Sequence, residues 1–291
     1  MKKFAIIVNA LKDRQLKETR ELCSYIETRG GSCQYLVIVD EEEGIRKVQA
    51  QHIAKGTECI LVLGGDGTLI RAARDTVECG IPLIGINMGT LGYLCELEIN
   101  SMYEAVDAML HDEYMIEERM MLTGQKCSGV SSSDQTCQKV LRALNDIVIH
   151  RTGALSLVSL TVYVNGQYLN TFKGDGIILS TPTGSTGYNM SAGGPIVDPK
   201  AQLLLLTPIN SHTLTPRSIV IDAQDEIVVE VGSRRVQRDE VVEVSFDGDR
   251  GCRLEVGERI AVKRAQESAK ILKFNKISFL EILRKKMETF Q

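Results

Sequence analysis

The chain has 291 residues, enough for one large or two ordinary domains. Its hydrophobic fraction of 43% and charged fraction of 25% are those of a soluble globular protein, and the net charge of −4 leaves no electrostatic footprint for nucleic acid. No apolar run approaches the roughly 20 residues of a membrane helix, so neither nucleic acid nor membrane is expected as a partner. The eight cysteines contain no C-x-x-C pair and no Cys/His cluster at zinc spacing, which predicts free thiols and a cytoplasmic location.

Met1–Val8 places Lys2 and Lys3 before a short apolar run that stops at Asn9 without a small-residue cleavage site, so it reads as a first buried strand rather than a signal peptide. Further short apolar runs follow at Tyr35–Val39, Ile60–Leu63 and Ile81–Ile86, in the manner of strands buried on both faces. Between them lie helical patterns at Leu16–Arg29, Ile45–Lys55 and Thr68–Cys79, each stopped by glycine. This alternation predicts a parallel sheet with right-handed crossovers. One more helix is expected at Met102–Leu110. Beyond about Tyr114 the pattern changes. Ser128–Gln138 reads as a mobile polar loop, and Asp146–Val262 as a run of short, mostly antiparallel strands. These include Leu157–Val164 before the hairpin dipeptide Asn165-Gly166, then Glu226–Val231, Glu240–Phe246 and Arg259–Lys263. Ser278 and Glu281 have capping-box spacing ahead of a final amphipathic helix that must bury its stripe of Phe279, Leu280, Leu283 and Met287. The organisation predicted is an α/β domain over 1–113, to which 268–291 returns, and a β-rich domain over 114–267.

The first chemical signal is Ile60–Leu69, ILVLGGDGTL. A buried strand runs into Gly64, Gly65, Asp66, Gly67 and Thr68. Such a turn, opening a helix, offers backbone N–H groups and partial positive charge to phosphate. A carboxylate repels phosphate, so Asp66 makes sense there if it handles a hydroxyl beside the phosphate, which points to phosphoryl transfer onto an alcohol. An isolated Gly-Asp-Gly reads equally well as a capped turn. No Walker sequence and no G-x-G-x-x-G after a strand is present.

The second signal is Lys173–Pro195, KGDGIILSTPTGSTGYNMSAGGP. Another Gly-Asp-Gly precedes a strand that empties into interleaved hydroxyls and glycines, a neutral polar loop suited to ribose and base. Pro182, Tyr188 and Pro195 argue against a flexible linker. Gly85–Tyr93 is glycine-rich after a strand, and its Tyr93 reads as a base-stacking or a core residue. Asn145-Asp146 by itself favours a local Asx turn, and Asp247-Gly248 a hairpin turn.

Taken together, these residues resemble the NAD kinase family. Gly64–Thr68 is the motif that family shares with diacylglycerol-type lipid kinases and phosphofructokinases. Gly174-Asp175-Gly176 with Ser180–Tyr188, the pair Asn145-Asp146, and Gly89–Tyr93 are similar to NAD kinases specifically. The resemblance implies a Rossmann-like α/β domain with a parallel sheet plus a β-rich, sandwich-like domain. It implies transfer of a phosphate from ATP, or polyphosphate, to the 2′-hydroxyl of the adenosine ribose of NAD, with Mg²⁺ or another divalent metal. Asp66 would be the general base, and Gly64, Gly65, Gly67 and Thr68 would hold phosphate. Gly67, Tyr93, Asn145, Asp146, Asp175, Thr183, Thr186, Gly187, Tyr188, Ser191 and Asp247 would bind NAD. Asp175 would act at the nicotinamide end, in some assemblies from a neighbouring subunit of a homodimer or homotetramer. Lys173 would bear on the choice between NAD and NADH. Position 187, usually Ala in this loop, is Gly here. A lipid or sugar kinase sharing only the first motif, or a non-catalytic dinucleotide sensor, are the competing expectations.

Overall fold

The computed structural model describes residues 1–40, 46–89, 92–95, 97–127, 140–152, 157–212, 217–232, 242–274 and 278–289. The chain divides into two compact units, Met1–Arg119 with Glu267–Gln291, and Met120–Gln266.

The first unit is built on a parallel sheet in the order Leu83–Asn87, Cys59–Gly64, Lys3–Val8, Ser32–Val37. Ile6, Leu61, Leu63, Ile84 and Ile86 from its strands meet Leu22, Ile26, Val106 and Met109 in one core. Leu22 and Ile26 lie one helical turn apart on α1 (Lys17–Thr28), and Val106 and Met109 lie on α3 (Met102–Leu110). The helix α2 (Asp66–Thr76) follows the central strand and buries Leu69, Ala72 and Ala73. The Asp13 carboxylate accepts the N–H groups of Glu18 and Thr19 at 3.2 and 2.9 Å and so fastens the start of α1.

Two expectations need correction here. Ser32–Val37 is an edge strand, mostly half-buried or exposed, rather than buried on both faces. The helix expected over Ile45–Lys55 is absent among the described residues, which contain only the short strand Arg46–Lys47 and a single 3-10 turn at Ala50–His52. The backbone there is engaged elsewhere. Val48 donates its N–H to the Asp75 carboxylate at 2.9 Å, and the Gln34 amide bonds His52 O and Ala54 N, each at 3.2 Å. Those bonds take groups a helix needs for its own ladder.

The second unit is antiparallel. One array runs Ile219–Asp222, Leu203–Ile209, Gly176–Ser180, Asp146–Arg151, Val242–Phe246, Asp249–Leu254. The other places Val158–Val164 between Gln167–Gly174 and Ile227–Val231, with Arg259–Val262 beyond. Inward side chains of both arrays, among them Ile147, Ile177, Val244, Leu160, Val229 and Ile260, form a single core. Asn165-Gly166 and Asp247-Gly248 turn two hairpins with positive φ at both central residues (49° and 77°, 51° and 82°), the geometry that matches strand twist. The strand expected at Arg259–Lys263 extends to Lys273. Its continuation through Arg264, Gln266 and Ser268 lacks the apolar alternation that marks a strand. The segment Ser128–Gln138 lies outside the described residues.

A short helix α4 (Tyr188–Ser191) sits in the second unit's glycine-rich segment. The last helix, α5 (Phe279–Thr289), belongs to the first unit. Ser278 caps it, accepting the N–H of Glu281 at 3.2 Å.

Candidate functional site

In the first unit a cleft of about 470 Å³ opens at the carboxyl end of the strand Cys59–Gly64, lined by Asn9, Lys12, Gly65, Asp66, Gly67, Thr68, Arg71 and Gly92. Ligands of α/β sheets bind at this end of the strands. Gly65 is the N-cap of α2 and its carbonyl accepts the Thr68 N–H at 2.9 Å, which leaves the N–H groups of Asp66 and Gly67, both lining this cleft, without a partner inside the helix. Gly64 is required by packing, since a Cβ there would collide with the Thr68 side chain. The Lys12 ammonium, at the end of a flexible side chain, lies 2.9 Å from where a Cβ on Gly65 would stand, which brings that charge against the turn. Lys12 and Arg71 bring positive charge to a helix N-terminus, an arrangement that receives anions.

Asp66 is not simply displayed on the turn. It is the first residue of α2, and its carboxylate accepts the backbone N–H groups of Tyr93 at 2.6 Å, Leu94 at 3.2 Å and Cys95 at 3.0 Å. A Cβ on Gly92 would overlap that carboxylate, so the Asp66 contact dictates glycine at 92. Tyr93 is half-buried, and the Lys286 ammonium of α5 stands 5.3 Å from its ring centroid in a cation–π contact.

The second unit holds a larger cleft of about 660 Å³, to which Asn145, Asp146, Asp175, Tyr188 and Asp247 contribute. The Asn145-Asp146 pair is not held by a local Asx turn. Asp247, at its hairpin tip, accepts the N–H groups of Leu144 at 2.8 Å, Asn145 at 2.7 Å and Asp146 at 3.2 Å. Asp146 is only 6% exposed. Burial first, and the neighbouring Asp247 charge second, push its carboxyl up to about 7. Asn145 Oδ1 is buried and has no hydrogen-bond partner, and neither does Thr183 Oγ1. Orphaned buried polar atoms are costly, and of the two residues Asn145 lines the cleft, where a donor could reach it.

The hydroxyls of the glycine-rich loop divide into two sets. Ser180, Thr181 and Ser185 are turned inward. Thr181 donates to Leu144 O at 2.7 Å, Ser180 to Asn145 O at 3.2 Å, and Ser185 to Val197 O at 3.2 Å. Thr181 and Ser180 fasten the loop to the 144–145 segment and Ser185 fastens it to Val197, while Thr183, buried and outside the cleft lining, is left with its hydroxyl unpartnered. Tyr188 is exposed along the cleft. Gly187 is adjacent: a Cβ there would stand 3.4 Å from Asn145 Nδ2 and 3.8 Å from Asp146 Oδ2. Thr186 is half-buried and Ser191 exposed at the end of α4, and neither lines the cleft. Lys173 is exposed on its strand and also stands outside the lining. Asp175 accepts from Asn210 Nδ2 at 2.8 Å and Arg151 Nε at 2.7 Å, and these two partners, in that order, lower its pKa.

Lys12, Arg71, Arg151 and Asn210 are among the lining residues that sequence reasoning missed. A signal existed for Lys12, which follows the first strand by four residues and so falls at the ligand-binding end of the sheet. For Asn210 there was none, since its role depends on Asp175, thirty-five positions away. Among the described residues no group of three or more His, Cys, Asp or Glu could hold a metal ion. The single carboxylate of the first cleft already faces three N–H groups. The donor set therefore does not fit a protein-held metal.

Comparison with known proteins gives a consistent result. The model of the ATP-NAD kinase N-terminal domain matches residues 4–114, and that of the C-terminal domain matches residues 144–274. A curated NAD kinase of Agathobacter rectalis is 51% identical over 290 residues, covering 100% of both chains. One of Lachnospira eligens is 40% identical, over 99% of this chain and 100% of its own. In fold, the chain is similar to yeast NADH kinase complexed with NADH, at a TM-score of 0.86 and 22% identity over 99% of this chain and 88% of the other. It is also similar to an NAD kinase from Archaeoglobus fulgidus in complex with ATP, at a TM-score of 0.72 and 22% identity over 97% and 98%. Two domain models in the right order and full-length relatives at 40% and 51% identity lead to one conclusion: the chain belongs to the NAD kinase family.

Proposed function

We propose that this protein phosphorylates NAD on the 2′-hydroxyl of its adenosine ribose, using ATP, to make NADP. The observation that carries this reading is the buried, partnerless Asn145 Oδ1 beside Asp146 in the second cleft. An amide oxygen and a carboxylate offer acceptors to an adenine amino group and ribose hydroxyls. Thr183 supplies a further unpartnered oxygen, Tyr188 a ring edge and Gly187 the space between them. Tyr93 packs at the adenine end, and Ser191 and Asp175 serve the nicotinamide end. In a homodimer or homotetramer Asp175 serves a neighbouring subunit, and Lys173 tunes the preference for NAD over NADH.

The first cleft suits the donor. Lys12, Arg71 and the N–H groups at Asp66 and Gly67 offer positive charge to a phosphate chain, on a turn that Gly64, Gly65 and Thr68 shape. A divalent cation such as Mg²⁺ arrives with ATP, on its phosphates, rather than on a site built from side chains. Asp66 takes the proton from the 2′-hydroxyl. A free Asp has a pKa of about 3.9, so it cannot ionise the hydroxyl beforehand; it receives the proton as the new O–P bond forms and ADP leaves. To do so it exchanges one of its backbone N–H partners for the hydroxyl.

The test is NADP formation from NAD, ATP and Mg²⁺, read with an NADP-specific dehydrogenase and repeated with polyphosphate. No NADP from either donor, with ATP consumed on a lipid or sugar alcohol instead, would transfer the assignment to the wider kinase group. Tight NAD binding with no ATP consumption would make the protein a dinucleotide sensor.

A further inference from the structure

The fold brings together two cysteines that their spacing in sequence does not single out. Cys23 lies on α1 and Cys33 on the edge strand Ser32–Val37, and their sulfurs are 2.7 Å apart in a thiol–thiol hydrogen bond. The pairing is set by the turn between the two elements. Gly30 has φ +81°, Gly31 N donates to Ile26 O at 3.0 Å, and a Cβ on Gly31 would press to 2.8 Å from the Ile26 side chain. The strand therefore starts tight against the last turn of α1. A disulfide needs about 2.05 Å between sulfurs, so closing the bond asks for a movement of only a few tenths of an ångström on each side. Both thiols are partly exposed, whereas Cys59 and Cys95 are buried and Cys79, though exposed, is not part of any such pair among the described residues.

We propose that Cys23 and Cys33 are a reversible dithiol–disulfide site, oxidised by exchange with low-molecular-weight disulfides. The thiolate of one cysteine attacks one sulfur of the small disulfide, forms a mixed disulfide and releases the first thiolate. The other cysteine gives its proton to solvent, attacks the protein sulfur of the mixed disulfide and releases the second. One small disulfide is reduced to two thiols, and two protein thiols become one S–S bond. Either thiol can donate in the contact between them, and whichever accepts is the more readily ionised and attacks first. The product ties α1 to the sheet edge. Nothing in this step depends on the reading of the two clefts.

The experiment exposes the full-length protein to a series of reduced-to-oxidised glutathione ratios, quenches with acid, alkylates with iodoacetamide and maps peptides without reduction. The expected product has lost two hydrogen masses, carries a Cys23–Cys33 cross-linked peptide and reverts with dithiothreitol. In Cys33→Ser and in Cys23→Ser the remaining thiol should carry glutathione and the cross-linked peptide should be absent. Cys79 reports the oxidising strength. If Cys23 and Cys33 are both alkylated, or carry separate glutathiones, at a ratio that glutathionylates Cys79, the proposal is overturned. A disulfide from Cys23 to a second copy of the chain would overturn it equally.

Discussion

The tripeptide Gly-Asp-Gly occurs twice in this chain at the two clefts, and the two copies are built into different surroundings. At Gly65-Asp66-Gly67 it opens α2, and the aspartate draws in the backbone N–H groups of a segment some thirty residues away. At Gly174-Asp175-Gly176 it joins two strands, and the aspartate is held by the side chains of Arg151 and Asn210. The glycines differ as well. A Cβ on Gly67 would meet nothing within 4 Å, whereas one on Gly174 would press to 2.7 Å from Ile209 O. In the first copy the glycine borders the open space of the cleft; in the second the missing side chain lets strands close. The clefts around them differ in the same sense, one bearing Lys12 and Arg71, the other Asp146 and Asp247. The same three residues thus serve opposite electrostatics, and the element they lead into, helix or strand, decides which.

If the first cleft handles the donor and the proton while the second holds NAD, substitutions should separate along that line. The largest effect is expected from Asp66→Asn. Turnover should fall by about 10²–10⁴-fold or more, the contribution of a general base, while calorimetry shows NAD still bound. Near-normal turnover would remove Asp66 from the base role. Gly92→Ala should lower kcat by about 10²-fold, because the added methyl group displaces the carboxylate without altering its chemistry.

Lys12→Met should raise the KM for ATP by about tenfold, the loss of one charge-assisted contact, and leave the KM for NAD alone. An equal rise in both would erase the proposed division between the clefts. Asp146→Asn tests the other side, with an expected rise of about tenfold in the KM for NAD. Its stability effect has the opposite sign. A carboxyl whose folded pKa is raised to about 7 holds its proton longer in the folded state, so wild-type stability falls as pH rises from about 4 through 7. The Asn variant should therefore melt higher than wild type at pH 8, by an amount on the order of 3 kcal/mol or less, and the gap should shrink towards pH 4. Gly187→Ala should do least, shifting the KM for NAD by about threefold, the worth of one methyl group.

Much of the first unit was legible because its strands are continuous apolar runs and its helices end on glycine. Met102–Leu110 is a helix with the bounds its periodicity predicts. The region 45–55 was misread because its apolar spacing suits a helix, while Asp75 and Gln34, remote in sequence, claim its backbone. In the second unit the hairpin dipeptides were visible, since positive φ restricts residue choice so strongly. The burial of Asp146 was not visible, because it depends on how the elements around it pack. Nor was the sorting of the loop hydroxyls: Ser180, Thr181 and Thr183 are alike as letters, and only the position of the 144–145 backbone distinguishes the two that bind it from the one left over.

Asp247 fixes the three residues before and within the strand Asp146–Arg151 through their backbones, its carboxylate accepting their N–H groups and its own N–H donating to Asp146 O at 3.0 Å. A backbone amide is the same whatever side chain stands beside it. Exchange of Asn145 or Asp146 for other side chains would consequently leave the frame they stand on in place. The hairpin tip uncouples the shape of this pocket from its recognition chemistry, so descendants of this sequence could drift towards new acceptors by single substitutions without first having to refold the site.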